Sequence, residues 1–239
     1  MKNEIWLGDC LELMSNIPDN SVDAIICDLP YGSLACSWDS PIDLTRLWSH
    51  YIRIAKEKTP IVLFGSQPFT SKLIGSNLRM FRYCWVWDKK KPANFSLAKK
   101  QPMKYHEDII VFGKKSPNYF PIMVPVEGRK AKKGVNNGYQ GFQKGLEKPE
   151  YLDKVYTDKY PSSILESSNA DQRNRFHPTQ KPIELMEYLI KTYSNERDLI
   201  LDNCAGSGST LVAAKNLKRD FVGIEREEKY FNICVDRLK

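Results

Sequence analysis

The sequence predicts an α/β domain built on a largely parallel β-sheet, and two observations support this fold class. Short apolar runs alternate with longer segments of helical periodicity along most of the chain, which is the pattern of repeated βα units. The chain has 239 residues, a length that suits one domain with a sizeable insertion and allows a large core to be buried. We therefore expect a single domain over residues 1–239.

Seven segments are predicted to be strands because they are short, apolar and rich in β-branched or aromatic residues. They are 5–7, 22–27, 61–64, 83–87, 108–112, 199–202 and 221–225. Helices are expected over 44–56, 68–77, 182–193, 209–217 and 227–238. This alternation places the strands in one sheet with helices packed on its faces.

A long insertion interrupts the pattern from Lys114 to about Gln172, where five glycines stand among lysines, asparagines and prolines. Such clusters indicate loops. The net charge of the chain is +7, and residues 88–148 alone hold fourteen Lys or Arg against five Asp or Glu. For charge alone, a basic face kept for solubility is the simpler explanation. The motifs that flank the segment favour an anionic polymer as its partner.

Several classes of protein and of site are disfavoured by composition. The N-terminus lacks the apolar core of a signal peptide, and no apolar run reaches the roughly 18 residues needed to cross a bilayer. We expect a soluble, cytoplasmic protein. The six cysteines are scattered without a Cys-x-x-Cys pair, so no metal site is predicted. Cys27 stands in an apolar run and is expected to be a core residue rather than a nucleophile.

The clearest candidate binding site begins where a predicted strand ends in Asp202. Gly206 and Gly208 follow, and they allow a sharp turn and a close approach of the backbone to a ligand. Glu225 ends the next strand, where nucleotide-type folds use an acid to bind ribose hydroxyls. Leu211 replaces the third glycine of a dinucleotide fingerprint, so a nucleoside without phosphates fits better than a pyrophosphate. A tight turn without a ligand is the alternative.

A candidate reaction site, Asp28-Leu29-Pro30-Tyr31-Gly32, comes directly after the predicted strand 22–27. Open α/β sheets place their chemistry at this end of a strand. Pro30 and Gly32 restrict the loop and so hold Asp28 and Tyr31 in place. A carboxylate beside an aromatic face suits a flat substrate that carries an amino group. Taken alone, the segment is explained equally well as a turn with a capping Asp and a packed Tyr.

Together these motifs resemble one family, the β-class DNA amino-methyltransferases. Asp28-Leu29-Pro30-Tyr31 is similar to their D-P-P-Y signature, residues 202–210 to their cofactor loop, and 177–182 (His-Pro-Thr-Gln-Lys-Pro) to a further family element. The order of the motifs matches the β-class, and the resemblance covers nearly the whole chain except about 114–172. It implies a Rossmann-like, seven-stranded, mostly parallel sheet of the S-adenosylmethionine-dependent methyltransferase type, ending in a reversed hairpin. Residues 114–172 would then hold most of the target recognition.

The resemblance also implies roles for individual residues. Asp28, Leu29, Pro30 and Tyr31 would form the reaction centre: Asp28 and the Leu29 carbonyl would accept the N–H bonds of an exocyclic amino group, and Tyr31 would stack on the base. S-adenosylmethionine would be bound by Asp9, Asp28, Thr179, Lys181, Asp202, Ala205, Gly206, Gly208, Thr210 and Glu225. Two of these have simpler explanations, Asp9 as a helix cap and Lys181 as a solvated lysine at a helix start.

The implied partner is DNA, double-stranded and with the target base flipped out, and members of the class are often homodimers. DNA would be contacted by Lys89, Lys90, Lys91, Asn94, Lys99 and Lys100. The Asp at the first motif position favours adenine N6, whereas cytosine N4 enzymes usually carry Ser there, so cytosine N4 is the alternative. An RNA or protein amide methyltransferase and a non-catalytic DNA-binding module are more distant alternatives. His106-Glu107, directly before a strand, is assigned a structural role.

Overall fold

A computed structural model describes residues 2–32, 40–92, 94–130, 155–169, 176–177 and 180–239. They form two compact units, one made of Met1–Phe120 with Ser163–Lys239 and one made of Pro121–Ser162. The larger unit contains an eight-stranded sheet, and the smaller unit contains a two-stranded sheet. The smaller unit lies entirely within the predicted insertion.

The ten strands are β1 (Glu4–Leu7), β2 (Ala24–Cys27), β3 (Ile61–Gly65), β4 (Phe81–Asp88), β5 (His106–Phe112), β6 (Val124–Lys130), β7 (Val155–Lys159), β8 (Ile164–Glu166), β9 (Leu199–Asp202) and β10 (Asp220–Glu225). The large sheet has the order β1-β10-β9-β2-β3-β5-β4-β8. Neighbouring strands in it are parallel except where β5 pairs with β3 and β4. The predicted α/β fold with a mostly parallel sheet is confirmed, and each of the seven predicted strands is present.

The described α-helices are α1 (Cys10–Leu13), α2 (Leu44–Ile54), α3 (Phe69–Ser76), α4 (Ile183–Tyr193), α5 (Ser209–Asn216) and α6 (Glu228–Leu238). The last five match the predicted helices. Asp43 begins α2, because its carboxylate accepts the backbone N–H groups of Thr45 and Arg46, as an N-cap does. Within the described ranges, no helix combines the length and the apolar character that a membrane span requires.

The expectation that residues 114–172 form only loops is wrong for their described part. The antiparallel pair β6 and β7 makes up the small sheet, and β8 adds an eighth strand to the large sheet by pairing with β4. The sequence gives little sign of these strands: β8 has three residues, and all five residues of β7 are exposed. Pairing with a neighbouring strand, rather than an apolar pattern, therefore determines their structure.

The large sheet is buried on both faces, as a mostly parallel sheet requires. Ile25 and Cys27 pack on one face against residues of α2 and α3. Ala24 and Ile26 pack on the other face against residues of α4 and α5. Cys27 is fully buried, as predicted. The loops after the parallel strands therefore emerge from a rigid edge.

Gly223 tests how tightly α5 packs on this sheet. It lies in β10, where an added Cβ would be only 2.2 Å from Cδ1 of Leu211 in α5. We expect Gly223→Ala to lower the free energy of unfolding by about 1–3 kcal/mol, because the core must shift to admit the methyl group. Urea unfolding measures this change.

Gly75→Ala in α3 is the matched control, since an added Cβ there meets nothing within 4 Å. Its free energy of unfolding should be unchanged or higher by up to about 1 kcal/mol, because alanine favours a helix over glycine. Equal stabilities of the two variants would contradict the packing described for Gly223.

Candidate active site

A cavity of about 530 Å³ lies within the larger unit, where the loops that follow β1, β2, β9 and β10 contribute to its lining. This volume is typical of sites for small molecules. The reaction loop, residues 28–32, follows β2, and the glycine turn, residues 203–208, follows β9. These two strands are neighbours in the sheet. The two motifs, which are far apart in the sequence, therefore face one cavity.

Most of the predicted site residues line this cavity, namely Asp9, Asp28, Leu29, Pro30, Tyr31, Lys181, Asp202, Ala205, Gly206, Thr210 and Glu225. Asp9 also accepts the backbone N–H of Leu11 at 2.7 Å, so it caps α1 as well. Gly208 does not line the cavity. A Cβ on Gly208 would lie 2.3 Å from Sγ of Cys234 in α6, so close packing explains this glycine. Thr179 lies outside the described residues.

The glycine turn after β9 is held by the acid at the end of β10. Gly206 and Gly208 have φ values of 53° and 79°, which side chains rarely adopt. Glu225 accepts the backbone N–H of Gly206 at 2.7 Å and that of Glu227 at 2.8 Å. Burial raises the pKa of Glu225, and these backbone donors oppose the rise. The turn and the carboxylate thus fix one another.

The reaction loop is also held by specific contacts. The Tyr31 hydroxyl donates to Oδ1 of Asp28 at 3.0 Å, and the Tyr31 ring stacks on Phe69 with the ring centres 4.8 Å apart. Lys181 Nζ donates a hydrogen bond to Oδ2 of Asp28. Both carboxylate oxygens of Asp28 are therefore engaged, and one face of Tyr31 is covered.

A buried cluster of alternating charges extends from Asp28. Lys181 Nζ also lies 3.4 Å from Oε2 of Glu107, and Oε1 of Glu107 accepts from Lys89 Nζ at 2.9 Å. Only 9% of the Lys181 side chain is exposed, so the alternative explanation of Lys181 as a solvated lysine at a helix start is wrong.

The pKa values within this cluster reflect burial and pairing. Burial raises the pKa of Asp28, against the opposing effect of Lys181. Burial alone would lower the pKa of Lys181, but Asp28 and Glu107 outweigh it and raise that pKa. Burial alone would raise the pKa of Glu107, but Lys181 and Lys89 outweigh it and lower that pKa. The neighbours therefore keep Lys181 and Glu107 charged in spite of burial.

Among the cavity residues that the sequence did not identify as site residues are Glu107, Gln180 and Asn203. Glu107 is the second residue of β5, and no local pattern in the sequence marks it as a site residue. Gln180 accepts from the Ser207 hydroxyl at 3.1 Å and so joins the 177–182 segment to the glycine turn. Asn203 accepts from the buried Tyr51 hydroxyl at 2.5 Å, a contact that no local pattern indicates.

The six predicted DNA contacts are placed differently from one another. Lys89 is only 5% exposed and its ammonium is paired with Glu107, which does not fit a phosphate contact. Lys90 pairs with Asp88 and Glu166 at the surface. Lys91, Lys99 and Lys100 are exposed. Asn94 accepts the backbone N–H of Lys104 at 2.6 Å, so it shapes the loop that carries Lys99 and Lys100.

The fold and the cavity define an α/β protein of the nucleoside-binding class. In this class, a glycine turn, an acid that binds ribose hydroxyls and a reaction loop meet at the carboxyl ends of parallel strands. The chain belongs to the N6/N4 DNA methylase family, whose model matches residues 22–236. Its members act on DNA as methyltransferases, and this chain is one of them.

Two individual methyltransferases are similar to this chain over nearly its whole length. The Type II methyltransferase M1.MboII of Moraxella bovis is 27% identical over 96% of this chain and 94% of its own length. M.BglII of Bacillus subtilis is 29% identical over 99% of this chain and 69% of its own length.

Two solved structures share the fold. The complex of M1.HpyAVI with SAM superposes with a TM-score of 0.66 at 24% identity, over 99% of this chain and 98% of that one. PvuII DNA methyltransferase, which is cytosine-N4-specific, gives a TM-score of 0.72 at 14% identity, over 99% of this chain and 86% of that one.

The pKa of Asp202 gives a test of the cavity's interior. Burial raises this pKa from 3.8 to about 6, and the side chain accepts the backbone N–H of Cys204 at 3.1 Å. The folded protein thus keeps Asp202 protonated to a higher pH than the unfolded chain does. Its contribution to stability is therefore lost as the pH rises from about 4 to about 6.

Asp202→Asn removes this titration. The free energy of unfolding of the variant, relative to the original chain, should rise by up to about 3 kcal/mol between pH 4 and pH 7. Urea unfolding at several pH values measures this difference, in which the other titrating groups largely cancel. Parallel pH profiles for the two proteins would contradict the raised pKa.

Proposed function

We propose that the protein transfers a methyl group from S-adenosylmethionine to the exocyclic N6 of adenine at a specific site in DNA. The observation that carries this proposal is the shared cavity, because the reaction loop and the glycine turn flank it from adjacent strands. Membership of the DNA methylase family supports DNA as the substrate. The M1.HpyAVI structure, solved as a SAM complex, supports the cofactor.

The residues of the cavity fit this cofactor. Glu225 and Asp202 would provide acceptors for ribose hydroxyls near the glycine turn, while the ammonium of Lys181 is paired with Asp28 and Glu107. Within the part of the chain that the structure describes, the buried hydroxyl of Ser209 has no hydrogen-bond partner. A buried polar atom of this kind is commonly satisfied by a ligand or water. These groups complement a nucleoside.

The cofactor would supply a methyl group on a sulfonium, and its sulfur would become a neutral thioether when the C–S bond breaks. The amino nitrogen would take the methyl group and release one proton to solvent. The amino nitrogen of an aromatic base is a poor nucleophile because its lone pair is delocalised into the ring. Asp28 and the Leu29 carbonyl would each accept a hydrogen bond from one N–H group of this amino nitrogen and so localise its lone pair. The negative charge of Asp28 would stabilise the positive charge that develops on nitrogen.

Stacking would position the base for direct transfer, which depends above all on alignment. Phe69 covers one face of Tyr31, so the base would stack on the opposite face. Pro30 has no N–H group that could compete for the acceptors of the loop. Because the amino group is inaccessible inside a duplex, the base would be flipped out of double-stranded DNA.

Several expectations about the DNA complex belong to the same proposal. Lys91, Lys99 and Lys100 are exposed and would contact phosphates, which position the DNA without reading its sequence. Residues 114–172 would recognise the target within one catalytic domain, 1–239. The resemblance to the β-class favours a homodimer, and sedimentation would measure its presence.

Cytosine N4 is the second candidate target. PvuII DNA methyltransferase, which is cytosine-N4-specific, shares the fold, whereas the Asp at position 28 favours adenine. Labelled S-adenosylmethionine incubated with DNA, RNA and protein in parallel tests the substrate class, and nucleoside analysis of the labelled DNA identifies the base. Label in RNA or protein but not in DNA would overturn the proposal. Detection of N4-methylcytosine in the labelled DNA would show that cytosine, the second candidate, is the target base instead of adenine.

Asp28→Ala should remove nearly all turnover while cofactor binding largely survives, because the variant loses an acceptor for the amino group but keeps the glycine turn. Comparable losses of a positioned charge-stabilising group lower kcat on the order of 10²–10³-fold. Methyl transfer to DNA and calorimetric binding of the cofactor measure the two effects.

Asp236→Ala is the matched control, since Asp236 is exposed and pairs only with Lys239 among the ion pairs of the described residues. Its turnover should equal that of the original chain. Near-normal turnover of Asp28→Ala would refute the role of Asp28.

A further inference from the structure

A substrate amino group that approaches Asp28 must compete with contacts that this carboxylate already makes. The Tyr31 hydroxyl occupies Oδ1 and the Lys181 ammonium occupies Oδ2. A carboxylate oxygen can accept more than one hydrogen bond, but the ammonium of Lys181 competes with an incoming N–H donor for Oδ2. Lys181 must therefore loosen its hold on Asp28 when the target base enters.

Lys181 cannot simply lose its partner. Its side chain is only 9% exposed, and it lies over the ring of Phe64, with Nζ 4.8 Å from the ring centre. A buried ammonium that loses its counter-charge is strongly destabilised. A second anion must therefore stand within reach of Nζ.

Glu107 meets this requirement. Its Oε2 atom lies 3.4 Å from Lys181 Nζ, is buried, and accepts no hydrogen bond from the described residues. Its other oxygen, Oε1, is fixed by the buried ammonium of Lys89 at 2.9 Å. Lys89 is itself held by its backbone N–H, which donates to the carbonyl of Tyr105 at 2.8 Å. Glu107 thus holds in a fixed place an oxygen that is ion-paired with Lys181 but accepts no hydrogen bond within the described residues.

We propose that Glu107 is a positioning residue that receives Lys181 when Asp28 bonds the amino group of the target base. Lys181 has three N–H donors, so a small movement of Nζ strengthens the contact with Oε2 and frees Oδ2 of Asp28. The cluster keeps two carboxylates and two ammonium groups throughout, so no net charge is buried or exposed. This inference rests on the proposed function and adds a residue to its machinery.

The titrating groups around Asp28 give the inference a distinctive signature. Asp28 is influenced by Lys181, Glu107 and Tyr31, and Asp202 senses its charge. The negative charge of Glu107 raises the pKa of Asp28, while Lys181 lowers it. Removal of the charge on Glu107 should therefore lower the pKa of Asp28, so that this carboxylate stays ionised to a lower pH.

The test uses Glu107→Gln in the full chain, with S-adenosylmethionine and unmethylated plasmid DNA under single-turnover conditions. Without the second anion, Lys181 stays on Asp28, so we expect the rate of methyl transfer to fall tenfold or more. We also expect the acid limb of the pH–rate profile to move to lower pH, while affinity for DNA changes less than threefold. A role for Glu107 only in pairing with Lys89 moves the limb as well, because the same charge is removed, but it predicts a rate on the plateau of the profile equal to that of the original chain.

Two further variants keep the result interpretable. Glu57→Gln makes the same chemical change at an exposed acid that pairs with Lys115 at 2.6 Å, and it should leave rate and pH profile unchanged. Glu107→Asp keeps the charge but withdraws the carboxylate by one methylene, so its rate should fall while the acid limb stays in place. This variant also serves as the test if Glu107→Gln does not fold.

The outcomes separate the two levels of the argument. A near-normal rate and an unmoved acid limb in Glu107→Gln, with the original chain active on DNA, would overturn the role of Glu107 and leave the proposed function standing. A rate loss in Glu107→Gln without movement of the limb would also overturn it. If the original chain methylates no DNA, the proposed function fails and this inference fails with it.

Discussion

The ion pair between Lys181 and Asp28 is the interaction on which the arrangement of the site depends. It joins two segments 153 positions apart in the chain. It lies at the carboxyl end of β2, next to the parallel strand β9. A buried pair of this kind is not expected to add much to stability, because desolvation offsets the attraction. Its effect is geometric: it fixes the segment before α4 against the reaction loop, and Glu107 and Lys89 extend the pairing across the sheet.

The reaction loop and the glycine turn could be predicted from sequence because each follows directly on an apolar run, and parallel strands bring their carboxyl ends to one edge. Glu107 could not be predicted in this way, since it stands at the start of a strand. Because β5 runs antiparallel to β3, with Asp108 paired to Gly65, its start reaches that same edge. Strand direction is a property of the sheet and leaves no local mark in the sequence.

The burial of Lys89 shows a second limit of local patterns. Three consecutive lysines after an apolar strand predict a solvated cluster, yet the first of them is 5% exposed. Its side chain is buried because Glu107 provides a counter-charge on the neighbouring strand, in register with Trp87. Strands β6, β7 and β8 were missed for a related reason, since strand pairing rather than an apolar pattern determines them. Where a partner distant in sequence decides the outcome, the local sequence carries little information.

The return of the chain through β8 has an evolutionary consequence. Phe120 donates its backbone N–H to Thr192 at 2.8 Å, and β8 is paired with β4, so the polypeptide is anchored to the larger unit on both sides of residues 121–162. The entropy of closing a loop grows only slowly with its length. Insertions and deletions between the anchors can thus accumulate at small cost while the chemistry is conserved. The architecture thus separates residues 121–162, which are free to diversify, from the larger unit, in which the residues of the site must stay constant.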